Sequence, residues 1–133
     1  MSDEELEKIK LRKAEMLFKL QSMPKEILNI NSENEFNKLI NDFPDKIIII
    51  DFWAIWCAPC KIFSPIFERV YREHSHEFIF VKINVDKNPM IAQFFGISSI
   101  PTTLFTKGGK VLRKFVGVLN YESLKHFLNK SKI

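Results

Sequence analysis

Two cysteines, four glycines and six prolines among 133 residues exclude several kinds of protein at once. Two cysteines only three positions apart cannot staple a small secreted scaffold together. Glycine and proline are scattered, with no low-complexity stretch and no internal repeat, so disorder is not expected away from the chain ends. No apolar run approaches the roughly 18 residues of a membrane span. The acidic start Met1-Ser2-Asp3-Glu4-Glu5 lacks the basic and apolar regions of a secretory leader. Cytoplasmic residence is the resulting expectation. The formal charge of +4 is dispersed as single lysines rather than gathered into a basic block, which argues against nucleic acid as a partner. A glycine-rich nucleotide motif is also missing, so electrons for any redox chemistry must come from a separate protein or a small thiol.

What is present is core. Hydrophobic residues make up 46% of the chain and include thirteen phenylalanines, ample for one domain. Residues 3 to 21 read as a helix opened by a Ser2/Glu5 capping box and carrying Glu4/Lys8 and Glu15/Lys19 pairs. Leu6, Ile9, Met16, Leu17, Leu20 and Met23 fall on one stripe, broken by Lys13. That stripe is expected to pack on its own domain, with dimerisation or partner docking as alternatives. Pro24 marks the boundary, giving a helical extension at 1–24 and a main domain at 25–133.

In the main domain Ile27 to Ile30 suits an edge strand, and Ser32-x-x-Glu35 opens a helix carrying Phe36, Leu39 and Ile40. Lys46 to Ala54 has the unbroken apolar character of a central strand buried on both faces. Ala58 to about His74 has helical period with Pro65 inside it. A strand within Glu77 to Val85 and a short helix from Asn88 to Phe95 follow. A hairpin, Thr102–Thr106 and Val111–Val116, turns through Lys107-Gly108-Gly109-Lys110. Asn120 then caps a last helix carrying Leu124, Phe127 and Leu128. The order, helix then βαβαβαββα, predicts an α/β fold with a central mixed sheet flanked by helices.

Trp56-Cys57-Ala58-Pro59-Cys60 falls where the buried strand ends and a helix begins. On one helical turn, positions i and i+3 lie about 5 to 6 Å apart at Cβ, so the two thiols can close reversibly. Cys57 would sit at the helix N-terminus, where unpaired N–H groups favour a thiolate, and Cys60 a turn further in. Cys57 therefore attacks a disulfide and Cys60 resolves the mixed disulfide. Pro59 stiffens the turn at no cost in helix hydrogen bonds. Asp51 is an acid inside an apolar strand; a buried carboxyl with a raised pKa could take the proton from Cys60. Lys82, isolated in Val81-Lys82-Ile83, is its candidate partner.

With Asp51-Phe52-Trp53-Ala54 before the motif, Lys61 and Pro65 after it, and Asn84-Val85-Asp86, Ile100-Pro101-Thr102 and Val116-Gly117 downstream, residues 25 to 133 resemble the thioredoxin family. The resemblance implies a thioredoxin fold with an extra N-terminal helix, acting as a protein-disulfide reductase without a bound cofactor. It implies disulfide-containing protein substrates and an electron donor of the thioredoxin-reductase kind. It also implies a cis peptide before Pro101 and an apolar substrate groove made by Trp56, Pro59, Ile100, Pro101 and Gly117. Trp53 and Pro65 would support the site, with Asp51 and Lys82 as a buried proton-handling pair. Ala58 departs from the family's usual Gly-Pro dipeptide, which leaves the redox potential open, and the helix at 3–21 is not part of the minimal domain.

Other readings compete. A zinc site would need Cys57, Cys60, His74 and His76 to converge, yet the histidines fall about 20 Å further along the helix at 1.5 Å per residue, so no metal is expected. His126 reads as a surface residue. An adaptor or holdase using the N-terminal helix, or a disulfide oxidase or isomerase, would keep the same fold.

Overall fold

Four consecutive isoleucines can be buried together only if both faces of their strand are covered. The computed structural model describes residues 1–132, with the backbone alone at 19–22, and it builds the sheet that way. Strands β1 (Leu28–Asn29), β2 (Ile47–Trp53), β3 (Ile79–Asn84), β4 (Thr102–Lys107) and β5 (Lys110–Val116) lie in the order β1-β3-β2-β4-β5. β1 and β2 run parallel to β3, whereas β4 is antiparallel to both β2 and β5, so the sheet is mixed. Helices α1 (Asp3–Ser22), α2 (Glu33–Asp42), α3 (Ala58–His74), α4 (Pro89–Phe94) and α5 (Tyr121–Ser131) complete the chain.

Alternation along β2 divides the core in two. Ile48, Ile50 and Phe52 pack with Phe36 and Leu39 of α2 and Ile91 of α4. Ile47 and Ile49 face the other way, onto Phe63, Phe67 and Val70 of α3 and Leu124 and Leu128 of α5. By the same period Asp51 lies on the α3 side. Local signals set the ends: Ser2, Ser32 and Asn120 each accept from the backbone N–H three residues on. The hairpin turns through Gly108 and Gly109, both at positive φ (59° and 82°), as a two-residue turn matching the strand twist requires.

Parallel and antiparallel pairing together place four chain segments at one sheet edge. Trp53 ending β2 pairs with Asn84 ending β3, Phe52 pairs with Thr102 beginning β4, and Thr102 pairs with Val116 ending β5. Whatever follows β2, β3 and β5, or precedes β4, therefore meets there.

The expectation that α1 packs its stripe on its own domain is corrected. Leu6, Met16 and Leu17 are exposed and Ile9 is half-buried, whereas Met23, beyond the helix, is buried in the core. Leu11 and Phe18, on the opposite side of α1, are exposed too, so its apolar residues are not confined to one buriable face. The helix carries a Glu7–Lys10 pair at 3.7 Å, and among the described residues none joins Glu4 to Lys8. The Glu15/Lys19 pair and the place of Leu20 in the stripe lie outside the described residues.

Candidate active site

Beyond β2 the chain turns on a bond from the Cys57 N–H to the Ala54 carbonyl (3.2 Å) and enters α3 with Cys57 as its cap. Ala58 and Pro59 occupy the first turn, where proline forfeits no helix bond. Cys57 and Cys60 are joined as a disulfide, their Cα atoms 5.3 Å apart, within the range such a bond tolerates. The Cys60 N–H points at Cys57 Sγ from 3.2 Å. That donor, at the positive end of α3, would stabilise negative charge on Cys57 sulfur, and among the described residues none is aimed at Cys60 sulfur in the same way.

The other segments converge as the topology dictates. The Ile100 carbonyl lies 3.8 Å from Cys57 Sγ, and the Ile100–Pro101 peptide is cis. Gly117, at φ +94°, donates its N–H to the Pro101 carbonyl at 2.8 Å. Trp56 is 70% exposed, and its indole N–H donates to Asp86 Oδ2 at 2.8 Å. Pro59 is exposed beside it, whereas Pro65 lies further along α3 on the solvent side. Trp53 and Ile100, both partly buried, pack against Ala54 and the two cysteines. Ile55, which shares the cavity lining with Cys60, and Val116, which ends β5, are exposed apolar residues at the same end of the sheet.

Asp51 is 1% exposed, and its Oδ1 is buried without a hydrogen-bond partner. Burial pushes its carboxyl up to about 7, against the opposing pull of the Lys82 ammonium. Lys82 stands beside it in the β2/β3 register, but its ammonium binds Ser64 Oγ at 2.6 Å, and among the described residues no ion pair joins Lys82 to Asp51. A cavity of about 270 Å³ is lined by Asp51, Cys60, Ser64 and Lys82. Both cysteines are nearly fully buried, at 3% and 4% exposure, but of the two only Cys60 lines the cavity that holds the Asp51 carboxyl.

Two residues of this neighbourhood carried no assigned role in the sequence. Asp86 could have been found from the parallel alignment of β2 and β3, which brings the turns after both strands together. Ser64 could have been found as the residue one turn beyond Cys60 on the same face of α3. The histidines lie elsewhere: His74 ends α3 at the far side of the sheet, and His76 is exposed beyond it. Among the described residues, no group of three or more His, Cys, Asp or Glu could hold a metal ion.

Residues 26–130 match the family model described as thioredoxin. A thioredoxin of Chlorobaculum thiosulfatiphilum is 48% identical over 75 residues, 56% of this chain and 69% of that protein. A thioredoxin of Buchnera aphidicola from Acyrthosiphon pisum is 36% identical over 105 residues, 79% of this chain and 95% of that one. Among solved structures, a thioredoxin of Nicotiana alata superposes with a TM-score of 0.75 at 32% identity, covering 84% of this chain and 97% of its own.

Proposed function

Because the chain belongs to the thioredoxin family, and so is a protein-disulfide reductase working by dithiol–disulfide exchange, we propose the following division of labour at its site. The Cys57 thiolate attacks one sulfur of a substrate disulfide, forming a mixed disulfide and expelling the other substrate sulfur as thiolate. Cys60 passes its proton to Asp51 and attacks Cys57 Sγ, so the second substrate sulfur leaves and the Cys57–Cys60 disulfide remains. Two electrons have moved to the substrate. The observation that carries this assignment is the asymmetry of the pair: a helix N–H aimed at Cys57 Sγ, and a carboxyl-lined cavity at Cys60.

Trp56, Pro59, Ile100, Pro101 and Gly117 form the groove along which the substrate lies, with the Ile100 carbonyl as a backbone partner for an extended segment. Trp53 supports it from beneath, whereas Pro65, expected to do the same, lies on the solvent side of α3 and takes no part, and Lys82 tunes Asp51. The sulfur pair itself holds the electrons, so this cycle uses no prosthetic group. Its reduced form is restored by a reductase of the thioredoxin-reductase kind or by a small thiol. Cytoplasmic residence and a part in cellular electron transport fit this chemistry, and no helix among the described residues is long and apolar enough to cross a membrane.

Equilibrating the Cys57/Cys60 couple in a glutathione or dithiothreitol buffer tests the direction of reaction. The expected potential is close to the about −270 mV typical of thioredoxins; a value of about −180 mV or higher would instead assign oxidation or isomerisation.

Residues 1–24 form an extension distinct from the domain at 25–133, with Met23 reaching across the boundary into the core. The exposed Leu11, Met16, Leu17 and Phe18 support docking of α1 outside its own domain, with a second copy as the occupant. Deleting residues 1–22, which spares Met23, is expected to reduce the sedimenting mass to one chain while the reductase rate stays unchanged. An unchanged mass would exclude self-association through α1.

A further inference from the structure

Ser64 lies one turn beyond Cys60 on α3, so the two side chains share the helix face that covers the end of β2. Its Oγ accepts from the Lys82 ammonium at 2.6 Å. Lys82 stands next to Asp51 across the parallel ladder, and opposite charges so placed attract strongly where water is excluded. Yet no ion pair joins the two among the described residues, and Asp51 Oδ1 is buried without a hydrogen-bond partner. The ammonium's short bond goes to the serine instead. All three side chains line the same cavity of about 270 Å³, so a released ammonium has room to turn toward the carboxyl.

The geometry points to Ser64 as a positioning residue for the resolving step: by tethering Lys82 Nζ it keeps the ammonium off Asp51 and leaves the carboxylate free to accept the Cys60 proton. The inference rests on the general-base reading of Asp51 given above and adds what sets the strength of that base.

The groups around Asp51 are few. Lys82 comes from β3, Cys60 and the exposed Lys61 from α3, Trp53 from its own strand, and Thr103 from β4. Thr103 is uncharged, and its buried hydroxyl has no hydrogen-bond partner. Lys82 is therefore the charge whose placement Ser64 decides. With the tether intact, burial dominates and the carboxyl titrates at about 7, well matched to a base working near neutrality. With the tether cut, the ammonium closes on the carboxylate, which then binds protons less tightly and becomes a weaker base.

The test is a carbon-detected NMR titration of the Asp51 carboxyl in the oxidised full-length protein, comparing the native chain with Ser64→Ala and Ser64→Thr. Alanine deletes one oxygen from a helical position that alanine suits, so the variant is expected to fold. The expected result is a midpoint about one pH unit lower in Ser64→Ala, a tenfold loss of proton affinity, with the native midpoint retained in Ser64→Thr. An unmoved midpoint in Ser64→Ala, or an equal shift in both variants, overturns the tether. The pH profile of mixed-disulfide resolution gives the second measurement. Its acidic limb should move with the carboxyl midpoint in Ser64→Ala and vanish in Asp51→Asn. A limb that survives Asp51→Asn overturns the general-base reading and the resolving-step role with it, whereas an unshifted carboxyl titration overturns the tether alone.

Discussion

Mixed with a disulfide-containing protein, a Cys60→Ser chain is expected to stop halfway and accumulate an adduct joined through Cys57. Serine in place of Cys60 removes the only internal thiol able to attack Cys57 Sγ, because the chain has just two cysteines. The first half of the reaction is untouched, since Cys57 keeps its place as the cap of α3. The adduct should appear on a non-reducing gel as the summed mass of the two partners and disappear with dithiothreitol. The complementary Cys57→Ser chain should form no such adduct, and its turnover should fall by at least about 1,000-fold, because a serine hydroxyl does not ionise near neutral pH. Comparable adducts through Cys60 in that variant would refute the assigned roles. The two outcomes together separate attack from resolution, which turnover alone does not.

Asp51→Asn is expected to stabilise the protein at neutral and alkaline pH while slowing the release of product. The carboxyl is raised on folding from 3.8 to about 7, so the folded chain holds a proton that the unfolded chain has already lost. Below about pH 4 both states are protonated and the residue imposes no penalty; stability is then lost as pH rises toward about 7 and stays lost above it. At 1.36 kcal/mol per unit the loss is on the order of 4 kcal/mol at pH 8, a large part of an ordinary domain's stability. Asparagine keeps the shape and avoids ionisation. Denaturant melts of the two chains between pH 4 and pH 8 should converge at the acidic end and diverge at the alkaline one. Parallel curves would mean that Asp51 titrates normally in the folded protein.

Much of this architecture was legible because its signals are local and strong. The isoleucine run of β2, the period of α3 up to His74 and the two glycines of the hairpin each have one structural solution. Asp51 stood out for the same reason, as a charge where the strand pattern admits none. The features that were not legible depend on where distant side chains end up. Ser64 is an ordinary helical serine until β3 brings Lys82 within 2.6 Å of it, and Asp86 is an ordinary turn residue until parallel pairing sets it against Trp56. The behaviour of α1 misled for a different reason. Its stripe is apolar enough to suggest burial, but Leu11 and Phe18 on the opposite side leave no orientation in which one surface could cover it all.

The bond between Trp56 and Asp86 has a practical consequence. The chain has only two tryptophans, and both flank the sulfur pair, Trp53 partly buried against it and Trp56 held at the surface by Asp86. Intrinsic indole fluorescence from this protein therefore originates wholly at the reacting centre. An unlabelled sample carries its own optical probe there, and the light it emits can follow opening and closing of the disulfide as they occur.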